Sequence, residues 1–176
     1  MYGTALHLMH RWDLSGSQFA FRVAERRLIA DVMKAASALG DGHSYAVAAG
    51  LLACQDPSTL RTVIPAGLIA FALELLVQTA VKAIVRRPRP FRRSAVILAR
   101  VRPPGDFSFP SGHAAGAFVF ASLAASVHPS AAAPCYSLAA LVAVSRVANG
   151  VHYPSDVIAG AILGMVSAGI GVRLVR

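Results

Sequence analysis

The sequence predicts an all-α fold: a multi-pass transmembrane helix bundle of five to six spans, opened by an N-terminal amphipathic interfacial helix. Three observations predict it. Hydrophobic residues make up 56% of the 176-residue chain and charged residues only 14%, against about 25% charged in ordinary soluble domains. The mean hydropathy is +0.58. The apolar residues are also gathered into runs, two of which reach the roughly 20 residues that cross a bilayer. A soluble chain of this size has too little interior for its surface to hide so much apolar side chain from water. The natural solvent for the excess is lipid.

The elements follow in order. Residues 18–39 read as one amphipathic helix, in which Leu28, Ile29, Val32, Met33, Ala36 and Leu39 recur at helical spacing. Arg26, Arg27, Asp31 and Lys34 lie largely off that stripe, and Gly40-Asp41-Gly42 ends the helix. Such a helix is expected to lie flat in the membrane interface. Apolar segments then run over 43–54, 62–85, 113–127, 134–148 and 156–175. The second and fifth span a bilayer by length alone; the first, third and fourth must extend into flanking residues or be covered by neighbours. Asp56-Pro57-Ser58 and His128-Pro129-Ser130 supply turns. Gly112 with Gly116, and Gly160 with Gly164, are small residues four apart that let helix backbones approach. Arg11, Asp13, Arg22, Glu25, Arg26 and Arg27 interrupt any apolar core of signal-peptide type, so the first span is expected to act as its own insertion signal.

The net charge is +9 with only eight carboxylates, and seven arginines fall between Arg86 and Arg102. A basic balance points to nucleic acid, to an anionic membrane surface or to an anionic substrate. No nucleic-acid-binding motif accompanies these arginines and apolar runs flank them, so no nucleic-acid partner is expected. Cys54 and Cys135 both lie in apolar runs, with neither the spacing of a metal site nor that of a disulfide framework.

Three clusters carry chemistry. Lys82 closes the second apolar run, and Arg89-Pro90 follows it. Alone, this reads as a positive flank anchored to headgroups, although arginine is also well shaped to grip phosphate with paired hydrogen bonds. Phe109-Pro110-Ser111-Gly112-His113 opens the third run. The amides of Ser111, Gly112 and His113 would be free at that helix start, where free amides and the helix dipole favour an anion; a plain capped helix is the alternative. Ser145-Arg146 ends the fourth run at Asn149-Gly150, His152 lies in the short loop, and Pro154 and Asp156 open the fifth. An Asp four residues after a His can hold one ring nitrogen and leave the other free to attack. Alternatively, the pair is a surface histidine near a helix-capping aspartate. By alternation of the spans, all three clusters face one side of the membrane and bring two histidines, a carboxylate and several cations around one pocket, a composition suited to phosphoryl transfer.

These motifs resemble those of the type 2 phosphatidic acid phosphatase superfamily: Lys, six residues, Arg-Pro; then Pro-Ser-Gly-His; then Ser-Arg, five residues, His, three residues, Asp. Lys82 to Pro90, Pro110 to His113 and Ser145 to Asp156 match without a gap or substitution. The ordered set is far more specific than any piece, and the resemblance extends from about residue 28 to the end. It implies a single membrane-embedded phosphatase domain over 1–176, with an amphipathic segment at 1–40 and a transmembrane catalytic core at 41–176. It implies His152 as nucleophile, Asp156 as its orienting partner and His113 as general acid. Lys82, Arg89, Arg146, Ser111 and Gly112 would hold the phosphoryl oxygens. The implied reaction is hydrolysis of a lipid phosphate or diphosphate through a phosphohistidine, with no metal and no other cofactor, since a cationic cradle stabilises the transferring group. Polyprenyl diphosphate, phosphatidylglycerophosphate, phosphatidate and a polyprenyl-phosphosugar phosphate are the candidate substrates.

Two other classes share parts of the pattern. A vanadate-dependent haloperoxidase resembles the same residues, but the bilayer-length spans speak against a soluble enzyme. An anion channel or transporter would need the basic vestibule but not an imidazole oriented by a carboxylate. The resemblance also implies a multi-pass protein of a bacterial inner or plasma membrane. The positive-inside rule alone would put the arginine-rich face in the cytoplasm; bacterial members usually face outward, and the extracytoplasmic face is the expectation. The residues give no reading of oligomeric state.

Overall fold

The computed structural model describes residues 2–55 and 57–176, with side chains at 11–50 and 61–176. Seven α-helices make up the described chain: α1 (Tyr2–Val23), α2 (Arg27–Ala38), α3 (Gly42–Gln55), α4 (Pro57–Val85), α5 (Gly112–Val127), α6 (Ala132–Ala148) and α7 (Pro154–Val175). Single 3-10 turns lie at Pro90–Arg92 and Pro129–Ala131. Among the described residues the sole extended pairing is an isolated bridge between Pro88 and Phe107.

Among the described residues, three helical stretches are long and apolar enough to cross a membrane: Arg61–Val85, Pro129–Ala148 and Pro154–Val175. In the first, only 11% of the apolar window is buried by protein. Leu68, Leu76 and Ile84 are all exposed there, an apolar face of the kind that membrane lipid covers. The fourth apolar run, short in sequence, gains a continuous helical lead-in from the 3-10 turn at Pro129, which follows the C-cap residue His128. The Asp56 turn lies outside the described residues, and Pro57 and Ser58 begin α4.

The helix α5 is the hub. It packs against α4, α6 and α7, and Ala114, Ala115, Gly116, Ala117, Val119, Ala121, Leu123 and Ala124 are all buried. Its 16 residues rise only about 24 Å, less than the ~30 Å hydrocarbon thickness; its neighbours cover it, so it need not reach water by itself. Alanine on nearly every face lets three helices close on it at once. Gly160 and Gly164 of α7 lie directly over the carbonyls of Ser111 and Ala115, where a Cβ would collide with backbone. That contact ties the start of α5 to the start of α7, and so two parts of the site to each other.

The amphipathic helix expected over 18–39 is broken. Its first part is the end of α1, its second is α2, and Ala24 to Arg26 turn between them, with Arg26 extended at ψ 126°. No glycine or proline marks the break. The physical reason is tertiary: Asp13, Ser17, Phe21 and Ala24 form a buried stripe on and just past α1, while Ala36 and Ser37 are the buried residues of α2. The α1 stripe packs on α6 and α7, and α2 packs on α6. One straight helix could not seat both stripes, and packing overrides a weak local propensity.

Candidate active site

Four helix ends meet on one side of the bundle. The α4 C-terminus brings Lys82, the α5 N-terminus Ser111 to His113, the α6 C-terminus Arg146, and the α7 N-terminus Asp156. The 86–110 loop and the α6–α7 loop add Arg89 and His152. A cavity of about 580 Å³ is lined by Lys82, Arg89, Gly112, His113 and His152 among others. Arg146 and Asp156 lie behind that wall, buried to 1% and 0% exposure.

His152 is 1% exposed. Its Nδ1 is 3.5 Å from Asp156 Oδ2, an ion-pair distance longer than a formed hydrogen bond. Its Nε2 is 3.2 Å from Arg89 Nη1. Asp156 is fixed from both sides: Oδ1 accepts from Arg87 Nη1 at 2.7 Å, and Oδ2 accepts from the Tyr153 amide at 2.8 Å, capping α7. A carboxylate held facing Nδ1 favours the tautomer with the proton there and the lone pair on Nε2. Arg89 is anchored by the carbonyls of Gly105 and Val151, each at 2.8 Å. Burial pushes its guanidinium down to about 10, so it remains a cation at neutral pH.

Lys82 Nζ donates to Gln78 Oε1 at 2.9 Å. A Cβ on Gly112 would lie 2.5 Å from that same Oε1, so a side chain there would push the Gln78 amide aside and disturb the lysine's support. Ser111 caps α5 through Ala114 N at 3.4 Å. Its own amide donates to the Asp156 carbonyl at 3.0 Å. The expectation of three free amides is therefore corrected: only those of Gly112 and His113 head the helix. His113 Nε2 sits 3.1 Å from Asp41 Oδ1. Arg146 gives Nη1 to Ser37 Oγ, while its Nε and Nη2 are buried without a partner. Buried guanidinium donors normally find acceptors.

Several supporting residues escaped the sequence reading. Asp13 of α1 is fully buried, accepts from Arg87 Nη2 at 2.5 Å, and accepts from the amide and hydroxyl of Ser155 at 2.9 and 2.6 Å. Arg87 also lies 4.0 Å over the Tyr153 ring. Ser37 and Asp41 hold Arg146 and His113 as described. Arg100, one of the seven arginines between Arg86 and Arg102, donates to the carbonyls of Ala148 and Phe21 at 3.3 and 3.2 Å and stacks 3.9 Å over the Phe21 ring. These contacts make Arg100 a clasp between α1 and α6.

Burial pushes the His152 imidazole from 6.5 down to about 4; Asp156 opposes the shift, and Arg89 and Arg146 add to it. The folded state thus prefers the neutral ring. Its contribution to stability is complete above pH 6.5 and is lost as pH falls towards 4, because the unfolded chain takes the proton first. Detergent-solubilised wild type should lose melting temperature across that window. His152→Gln should lose less; parallel decline of the two would contradict the assignment.

The model for the PAP2 superfamily matches residues 66–176, a stretch that contains all three clusters. "Probable lipid phosphate phosphatase beta" of Arabidopsis thaliana is 33% identical over 148 residues, covering 66% of this chain and 68% of that protein. "Decaprenylphosphoryl-5-phosphoribose phosphatase" of Mycolicibacterium smegmatis is 38% identical over 113 residues, covering 64% of this chain and 59% of that protein. Among solved structures, Aquifex aeolicus LpxE superposes with a TM-score of 0.73 at 26% identity, covering 92% of this chain and 94% of that one. The transmembrane PAP2 type phosphatidylglycerolphosphate phosphatase from Bacillus subtilis gives a TM-score of 0.73 at 22% identity, covering 97% and 89%, a likeness of fold. What fold and relatives define is an integral-membrane phosphatase, a hydrolase of phosphoric esters. The chain belongs to the PAP2 superfamily.

Proposed function

We propose that this phosphatase acts on a lipid phosphate or diphosphate through a phosphohistidine on His152, without a metal. One observation carries the lipid reading. An apolar groove of about 830 Å³ runs between α3, α4 and α5, and it shares Gly42, Tyr45, Phe71 and Leu75 with the cationic cavity. A phosphate among Lys82, Arg89 and Arg146 would leave its hydrocarbon chain facing a continuous apolar channel in the membrane. The relatives named for lipid phosphates support the same class.

In the first step His152 Nε2 attacks phosphorus, the bond from phosphorus to the lipid oxygen breaks, and His113 gives that oxygen its proton. In the second, His113 takes a proton from water, the resulting hydroxide attacks phosphorus, the P–N bond breaks, and inorganic phosphate leaves with His152 neutral again. Asp156 steadies the charge that His152 gains. Lys82, Arg89 and Arg146, with Ser111 and the Gly112 amide, hold the equatorial oxygens. Activity should persist in excess EDTA; loss in chelator that magnesium restores would refute the metal-free mechanism.

The reading extends to the whole chain as one domain, with 1–40 as a segment that covers the site end of the core at 41–176. Five to six spans, an interfacial position for α2, a bacterial inner membrane and an outward-facing site complete it. Arg92, Arg93 and Arg102 are exposed, Arg92 beside Asp106 at 2.6 Å, and are assigned to headgroup attraction. Replacing each with Gln should raise KM severalfold and leave kcat nearly intact. A kcat collapse at Arg92 as deep as that at Arg89 would redraw the boundary of the site. Assay of the purified chain against a panel of lipid phosphates, following free phosphate, tests the proposal as a whole.

A further inference from the structure

At the junction between the cationic cavity and the apolar groove lie two polar groups with no task in the reaction above. Glu74 is 4% exposed and lines the cavity wall. Its Oε2 accepts a long hydrogen bond, 3.4 Å, from Gln78 Nε2, and its Oε1 has no partner. The Tyr45 hydroxyl, from α3, lines the same wall and is also buried without a partner. The Tyr45 ring is wedged against Phe120 and Phe71, with centroids 5.7 and 5.8 Å away, so its hydroxyl is held in place. Tyr45 and Phe71 belong to both the cavity and the groove.

A carboxyl group inside an apolar span is costly, and one that lines a cavity is a default marker of ligand contact. Here it sits on the same face of α4 as Gln78 and Lys82, at intervals of four residues, so the cation that faces phosphate and the acceptor share one helical ridge. A lipid whose phosphoryl group meets Lys82 and whose chain enters the groove must pass its alcohol portion by Glu74 and Tyr45. A bare hydrocarbon there would leave both groups unsatisfied, whereas a hydroxyl can donate to Glu74 Oε1 and accept from Tyr45.

We infer that Glu74 and Tyr45 read a free hydroxyl on the alcohol portion of the substrate. The preferred substrates are then polyol-linked lipid phosphates, glycerol- or sugar-based, over simple prenyl phosphates. The inference rests on the lipid phosphatase reading and names the substrate class of that same site. Its energetic basis is asymmetric: a site built to hydrogen-bond a hydroxyl discriminates strongly against the analogue that lacks it, because its own buried groups stay unpaired.

The test uses the full chain in detergent and two substrates that differ by one group: 1-oleoyl-glycerol 3-phosphate, which has a 2-hydroxyl, and its 2-deoxy analogue. The wild type should favour the hydroxylated member in kcat/KM by about tenfold or more. Glu74→Leu should bring the ratio close to one, with the loss falling on the hydroxylated member. Glu74→Gln, which keeps an acceptor oxygen, should retain part of the preference. An equal fall on both members in Glu74→Leu would mean that Glu74 only steadies Gln78 and Lys82, and would overturn the inference. Absence of any preference in the wild type, with both members hydrolysed, would overturn it as well. If the wild type hydrolyses neither member nor p-nitrophenyl phosphate, the phosphatase reading of the site fails first and the inference with it.

Discussion

His152→Ala is expected to abolish turnover and phosphoenzyme formation on every substrate, whereas His113→Ala should fail in proportion to how poor the leaving group is. The two rings differ in setting. His152 is almost fully buried where it lines the cavity, with one nitrogen towards Asp156 and the other towards Arg89. His113 stands at the start of α5 on the cavity wall, beside the exposed Asp41. An oriented neutral imidazole suits nucleophilic attack. A more open ring paired with a carboxylate suits passing a proton to a departing oxygen, help worth roughly a hundred- to ten-thousand-fold. An aryl phosphate such as p-nitrophenyl phosphate leaves as a stable anion and needs little of that help, so His113→Ala should keep more of its first-step rate there than on a lipid alkyl phosphate. Single-turnover labelling with radioactive phosphate separates the steps. Acid-labile label should still accumulate in His113→Ala and be absent in His152→Ala; the reverse pattern would exchange the two roles.

The parts of this molecule legible in sequence are those whose signal is local. Apolar runs announced the membrane helices because bilayer length leaves a mark in every window. Lys82, Ser111, His113, Arg146 and Asp156 stand at helix ends, and Arg89 and His152 in the loops beside them, where a motif fixes both residue and position, and the structure brings those ends to one side of the bundle. What escaped is what only packing decides. Asp13, Ser37 and Asp41 support site residues from 72 to 143 positions away along the chain (Asp13 to Asp156 through Arg87), and nothing in their neighbourhoods distinguishes them from ordinary polar residues. The break after Val23 was invisible for the same reason. Glu74 is different: as the lone carboxylate of the α4 sequence it carried a readable signal, since an acid within an apolar span is expensive to keep without a use.

Arg87→Met should be the most damaging substitution outside the groups assigned to the phosphate. The guanidinium bridges two fully buried carboxylates, Asp13 at 2.5 Å and Asp156 at 2.7 Å; Asp156 also accepts from the amide of Tyr153, the residue after His152, and Asp13 from Ser155 in the first turn of α7. Removing the cation leaves two negative charges in the protein interior with no countercharge between them. Breaking a buried pair in this way costs on the order of 3–5 kcal/mol, so the melting temperature in detergent should fall markedly. Catalysis should fall too, and mainly in kcat. Asp156 would keep its bond from the Tyr153 amide but lose the one that fixes its other oxygen, so the carboxylate could swing away from His152 Nδ1. Arg87→Lys should rescue little, because one ammonium cannot reproduce a planar fork that meets two carboxylates and a tyrosine ring at once. Asp13→Asn with Arg87→Met should be less damaging than the two single effects added together, since the double variant no longer buries the second unpaired charge. Strict additivity would show that Asp13 and Arg87 do not act as a unit. Wild-type melting and turnover in Arg87→Met would show that the Asp13–Arg87–Asp156 bridge has no part in holding the nucleophile.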